Sequence, residues 1–286
     1  MLAWLSEQNV PLIHIDWQGN VQSIMANNGY AGNPYRVQWQ RETRADPLGP
    51  MAFCIDLITR KINGCIKTLE KSIRRSPAWE QAIKRAYAEL TRLECNPPHD
   101  TVSLRALEAG SAAAYFRAWR EIPLQWKGLS QRPIPESWRR IGSRTSLFKL
   151  AGNRNAAHPI NAMLNYAYAI LESQMRIQSV VEGYDPTLGI MHVSRDGSSA
   201  FVFDMMEPER PDVDRSILEF VKSRKFHAAD FVIRTDGVCR LNPEMAKHVA
   251  QVVWDNRNSC QTDQRRQMIC QKAPTGLGFS RRHRSG

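Results

Sequence analysis

From Met51 onward the chain is punctuated by helix starts, and that punctuation limits the fold more than any other feature. Ser76-Pro77, Asp100, Pro159 and Asn242-Pro243 each place a capping side chain or a first-turn proline ahead of an apolar stripe at helical spacing. After Ser76 the stripe is Trp79, Ile83, Ala86, Leu90 and Leu93; after Pro159 it is Ile160, Met163, Leu164, Ala167 and Leu171; after Asn242 it is Met245, Val249 and Val252. Upstream, Val10 to Met25 (VPLIHIDWQGNVQSIM) alternates apolar and polar residues around a turn at Gln18 to Asn20, the pattern of a β-hairpin, and runs into a Gly-, Asn- and Pro-rich connection. The predicted fold is therefore mainly α: a helical lobe preceded by a short β-rich N-terminal portion. By residue number, 1–46 is the β-rich portion with its linker, 47–258 the helical domain and 259–286 a basic tail predicted to be disordered, since RRHR at Arg281 to Arg284 follows a Gly-rich stretch.

Carboxylates interrupt this apolar pattern in two places. In the helix predicted from Asp100 to Arg120, Leu104, Leu107, Ala112, Tyr115 and Trp119 share one face, and Glu108 falls in the middle of it. An ionised carboxylate buried without compensation costs several kcal/mol, so Glu108 must be protonated, paired with a cation such as arginine, or bound to a metal. The second place is Tyr184 to Pro211 (YDPTLGIMHVSRDGSSAFVFDMMEPERP), which gathers His192, Asp204 and Glu207 around short apolar runs. Asp204 and Glu207 lie three apart and share a face if the segment is helical. Two carboxylates and an imidazole suit Mg2+ or Mn2+. Solvated carboxylates beside a surface histidine are the plainer alternative.

The chain carries 39 Lys and Arg against 28 Asp and Glu, a net charge of +11, which favours polyanionic partners. Between Gln125 and Arg144, Lys127, Arg132, Arg139, Arg140 and Arg144 face only Glu136 and are interleaved with Trp126, Trp138 and prolines, and Lys149 and Arg154 follow. The segment reads as an extended basic loop. Either it tracks a nucleic-acid backbone with its indoles stacked on a splayed base, or the indoles pack it onto the helical body and the charges are solvated.

Six cysteines, at 54, 65, 95, 239, 260 and 270, form no CxxC pair and no zinc-like spacing with histidine, so reduced thiols in a cytoplasmic protein are expected, with neither a zinc site nor disulfides. The first residues, MLAWLSEQN, lack the basic start of a signal peptide. No apolar run reaches the roughly 18 residues of a membrane span. There is no internal repeat and no glycine-rich phosphate loop, which removes nucleotide-driven phosphoryl transfer from consideration.

Four motifs in order resemble one family. Glu108 in an AYF-containing helix, HPINAMLNYAYAIL (His158 to Leu171), YDPTLGIMH and FVFDMMEPERPDVD, spread over about a hundred residues, are similar to the CRISPR-associated integrase and endonuclease of spacer acquisition, the Cas-one family. The likeness extends more weakly from about Ala3 to about Ala250, whereas the family begins with a fuller β-rich domain, so the resemblance implies an N-terminally shortened member whose hairpin leaves edges and apolar surface exposed. It implies a prokaryotic, metal-dependent DNA endonuclease and integrase that inserts spacer DNA into a CRISPR array. The metal, Mg2+ or Mn2+, would be held by Glu108, His192 and Glu207, with Asp204 an accessory acid and His192 either ligand or general base. The implied partners are double-stranded DNA (spacer precursor and repeat), a second copy in a homodimer and the small Cas-two protein in a hetero-oligomer, with no membrane. A catalytically inactive copy that binds nucleic acid or acts as a scaffold would carry the same motifs.

Overall fold

The computed structural model describes residues 2–8, 10, 12–15, 21–25, 31–46, 49–120, 122–142, 156–192, 199–235 and 237–260. Among them helices dominate, with strands confined to three two-stranded sheets. After a short helix α1 (Leu2–Glu7), strands β1 (Leu12–Ile15) and β2 (Val21–Met25) form the expected antiparallel hairpin, with Leu12 opposite Met25 and His14 opposite Ser23. Its turn, Gln18 to Asn20, lies outside the described residues. Leu12 and Met25 are exposed, as are Leu2, Trp4 and Val10 earlier in the chain.

The connection after the hairpin differs from expectation, because half of it is a helix, α2 (Pro34–Ala45). Asn33 caps it by accepting from the N–H of Tyr35 and Arg36, and Pro34 occupies the first turn. The signal is the same as at Ser76-Pro77, but only Val37 and Gln40 are buried in an otherwise polar helix, so no apolar stripe announced it.

The body consists of α3 (Gly49–Ser72), α4 (Pro77–Cys95), α5 (Thr101–Ala118), α6 (Pro159–Val181), α7 (Ala200–Met206), α8 (Arg210–Ser223) and α9 (Pro243–Cys260). Ser76 and Asp100 cap α4 and α5 as expected, and Asn242 accepts from the N–H of Met245 at the start of α9. The whole predicted stripe of α6, Ile160, Met163, Leu164, Ala167 and Leu171, is buried. Two apolar clusters result. One surrounds α6 and takes Cys65 and Leu69 from α3, Tyr115 and Ala118 from α5, and Val202 and Met206 from α7. The other takes Cys54, Ile58 and Ile62 from α3, Leu104 and Leu107 from α5, and Phe201 from α7, and adds Tyr184, Ile190 and Met191. Helices α3, α5 and α7 thus supply side chains to both clusters.

The basic segment is more ordered than an extended loop. Strand β3 (Gln125–Lys127) pairs in parallel with β4 (Lys225–His227), and Glu136–Trp138 forms a single 3-10 turn. Trp126 and Trp138 stack at 5.9 Å, each contacts Phe231 at 5.8 Å, and their indole N–H groups donate to the carbonyls of Trp138 and Ala157. Trp138 is buried, so the indoles anchor the segment instead of standing free to stack on a base. Lys127, Arg132, Arg139 and Arg140 point outward; Arg144, Lys149 and Arg154 lie outside the described residues. Strands β5 (Phe231–Ile233) and β6 (Cys239–Leu241) complete the lobe as a second hairpin.

Two local contacts set the positions of the helices that matter below. At Gly64, α3 meets the start of α8 so closely that an added Cβ would lie 2.9 Å from Pro211 Cβ, and Thr68 Oγ1 donates to the Pro211 carbonyl at 3.0 Å. Replacing Gly64 with Val should therefore lower stability by about 1–3 kcal/mol through overpacking, measured by urea denaturation. At the start of α6, the buried His158 accepts from the N–H of Ile160 through Nδ1, and its Nε2 lies 2.8 Å from the Arg140 carbonyl. Burial holds its pKa below the ordinary 6.5. As pH falls through 6.5 the unfolded chain takes up a proton that the folded chain resists, so stability declines with acidification. The non-titrating cap in His158→Asn should flatten that decline in denaturation series from about pH 7.5 to about pH 5.5.

Candidate functional site

The carboxylate on the apolar face of α5 has a partner, and the partner is a lysine. Lys61 on α3 donates from Nζ to Glu108 Oε1 and also to Glu207 Oε2, so one ammonium joins two carboxylates that are 99 residues apart in the chain. The side chains are largely buried, with 14% of Lys61, 21% of Glu108 and 8% of Glu207 exposed. Lys61 was accessible to sequence reasoning: it falls on the stripe Cys54, Ile58, Lys61, Cys65, where a charge is as anomalous as Glu108 is on α5. Burial works against its charge, but Glu207 and Glu108 raise its pKa above the ordinary 10.5.

Glu207, at the C-terminal end of α7, has a second cation. Arg210 Nε donates to its Oε1 at 3.2 Å. Burial pushes the Glu207 carboxyl upward, yet Arg210 and Lys61 outweigh it and hold the pKa at about 2. The Arg210 guanidinium lies 4.8 Å over the Tyr168 ring, and the Tyr168 hydroxyl donates to the buried Asp214 on α8. Sequence reading missed these three residues; the one signal was the three-residue spacing of Glu207 and Arg210.

Asp204 and His192 form a separate unit. Asp204 is completely buried and accepts three backbone N–H bonds, from Ile190 and Met191 to Oδ2 at 2.6 and 3.1 Å and from His192 to Oδ1 at 2.9 Å. The same Oδ1 lies 2.7 Å from His192 Nδ1. That contact orients the ring and leaves Nε2, on a side chain 26% exposed, as the ring nitrogen turned away from Asp204. The tight turn around Gly189, where an added Cβ would meet the His192 carbonyl at 2.4 Å, lets the backbone wrap onto Asp204. The plainer picture of solvated carboxylates does not hold, since both Asp204 and Glu207 are buried.

The structure therefore brings the four predicted residues together as two pairs, Glu108 with Glu207 through Lys61, and Asp204 with His192, joined by the last turn of α7. Among the described residues no three His, Cys, Asp or Glu side chains converge as a metal-binding group. The donor chemistry nonetheless suits a hard divalent cation: carboxylates from two helices already share one positive charge, and an imidazole oriented by a buried aspartate stands on the adjoining turn.

Comparison with known proteins bears on the family and the fold. The family model described as CRISPR associated protein Cas1 matches residues 1–254. The CRISPR-associated endonuclease Cas1 1 of Moorella thermoacetica is 25% identical over 257 residues, covering 86% of this chain and 68% of that protein. The CRISPR-associated endonuclease Cas1 2 of Rhodospirillum rubrum is 31% identical over 185 residues, covering 62% of this chain and 46% of its own length. Among solved structures, a CAS1 protein from Thermotoga maritima gives a TM-score of 0.69 at 16% identity, covering 95% of this chain and 79% of that one. A partial Cas6-RT-Cas1–Cas2 complex gives 0.68 at 19%, covering 94% and 80%, and a casposase bound to integration product gives 0.65 at 19%, covering 89% and 69%. At these identities the structural likeness concerns the fold. No helix among the described residues is long and apolar enough to cross a membrane.

Asp204→Ala would strand three N–H groups and release the His192 ring, and should cost about 3 kcal/mol or more of stability. Glu108→Gln keeps an acceptor for Lys61 and should cost clearly less in the same denaturation assay.

Proposed function

The chain belongs to the Cas1 family of CRISPR-associated proteins, and on that premise we propose that it is a divalent-metal-dependent DNA endonuclease and strand transferase that joins spacer DNA into a CRISPR array. The observation that carries the reading is the sharing of one cation by Glu108 and Glu207, at two of the three positions where the resemblance puts metal ligands.

Glu108, Glu207 and His192 through Nε2 would hold Mg2+ or Mn2+. When bound, such an ion polarises a phosphodiester and lowers the pKa of an attacking hydroxyl. The remaining work falls to the protein. Asp204 fixes the ring and tautomer of His192, so that Nε2 stays available as a donor atom. Arg210, steadied by Tyr168 and Asp214, keeps Glu207 ionised and adds positive charge where the five-coordinate phosphate accumulates negative charge. In strand transfer the 3′-oxygen of the incoming DNA forms a bond to phosphorus, the proton leaves that hydroxyl, and the P–O bond of the repeat strand breaks to free a new 3′-hydroxyl. The number of phosphodiesters is unchanged. With water as attacker the same site cleaves DNA.

The exposed Lys127, Arg132, Arg139 and Arg140 offer phosphate contacts to the duplex from a segment anchored by the stacked indoles of Trp126 and the buried Trp138. A homodimer together with a small Cas2 partner would assemble in the prokaryotic cytoplasm on double-stranded spacer precursor and repeat DNA; the fold shared with the Cas1–Cas2 assembly supports this reading.

Strand transfer on a branched DNA substrate tests the proposal. Joining should require Mg2+ or Mn2+, stop with chelator, and fall at least about a hundredfold in His192→Ala and Glu207→Ala. A folded protein supplied with metal and partner that shows no joining or cleavage would be an inactive DNA-binding or scaffold copy.

A further inference from the structure

Lys61 fills the position between Glu108 and Glu207 where a metal ion would make its carboxylate contacts. Resting on the metal-site reading above, we propose that Lys61 is a built-in cation that competes with the divalent metal for Glu108 and Glu207 and, once displaced, pairs with the DNA phosphate, so that metal and DNA bind cooperatively.

Three observations lead there. First, the ammonium contacts both carboxylates, using one oxygen of each, so an ion bound to the same oxygens and Nζ exclude one another. Second, Glu207 is already committed on its other oxygen to Arg210, which leaves Oε2, the oxygen that Lys61 holds, as the one open to a new cation. Third, the Lys61 side chain is only 14% exposed, and an ammonium stripped of both carboxylates in such a setting is unpaired and poorly hydrated. It needs a replacement anion. The four-carbon stem of lysine allows Nζ to move while α3 stays fixed, and a nucleic-acid phosphate brought to the metal is the anion the proposed reaction supplies. Metal alone therefore binds against the Lys61 ion pairs, whereas metal with DNA lets Lys61 exchange one anionic partner for another. The coupling is reciprocal: metal must tighten DNA binding by the same factor by which DNA tightens metal binding.

The test is Mn2+ binding to the full-length protein, read from the electron paramagnetic resonance of the free ion, with and without a branched duplex that lacks the attacking 3′-hydroxyl. In the unsubstituted protein the duplex should tighten Mn2+ binding at least about fivefold. Lys61→Met should bind Mn2+ more tightly than the unsubstituted protein when DNA is absent, and the duplex should then add little. Its metal-free melting temperature should drop, because Glu108 and Glu207 repel across the gap, and should rise more on Mn2+ addition than that of the unsubstituted protein. Lys61→Arg keeps a cation in place and should retain weak binding in the absence of DNA, which separates charge competition from a folding defect. Glu207-dependent Mn2+ binding that is unchanged or weaker in Lys61→Met overturns the role of Lys61 and leaves the metal site standing. Mn2+ binding indifferent to Glu207→Gln in every protein overturns the metal site, and this proposal with it.

Discussion

An ammonium held between two carboxylates in an apolar setting is stable only if the helices carrying the three groups cannot drift. The pair of bonds from Lys61 makes that demand of α3, α5 and α7 together. If either carboxylate is withdrawn, a buried charge loses a partner, and the penalty for that exceeds what the intact bridge contributes. Much of the surrounding construction can be understood as meeting this requirement. Gly64 lets α3 approach α8 at Pro211, one turn beyond Lys61. Arg210, at the first position of α8, reaches back to Glu207 and rests on Tyr168, whose hydroxyl is tied to Asp214 further along the same helix.

Asp204 shows how the second half of the site is preorganised by the backbone. Its two oxygens collect N–H groups from three consecutive residues, so the turn that presents His192 is shaped around a buried carboxylate. The imidazole is then oriented by the carboxylate that folds the turn, and the cost of burying Asp204 is offset by four hydrogen bonds. The proposed chemistry would draw on the same residue that folds the turn, and removal of Asp204 would then affect both.

Helix starts were legible because capping and first-turn proline are local rules. The same rule holds at Asn33-Pro34, but α2 buries too few apolar residues to show a stripe beside it. Glu108 stood out because a charge on an apolar face has to be explained, and Lys61 satisfied the same criterion on α3 without being noticed. What no spacing rule supplies is the meeting of the two, since it depends on how three helices cross in space. Of the resolutions open to Glu108, the ion pair is present, with a lysine where an arginine was the example. Three-residue strands such as β3 and β4 carry no readable period, and their parallel pairing sets Trp126 opposite Phe226, joining residues about a hundred positions apart.

Lys61, Glu108 and Asp204 sit on α3, α5 and α7, helices that supply side chains to both apolar clusters. The site is thus a polar inclusion along helices shared by two cores, which Ile83 and Met205 also join. Each core is free to accept volume-conserving substitutions within itself, but any change that tilts one against the other alters the gap in which the cation sits. Sequence drift in two distant sets of apolar residues is thereby yoked to a single spacing, and neither core can evolve without regard to the other.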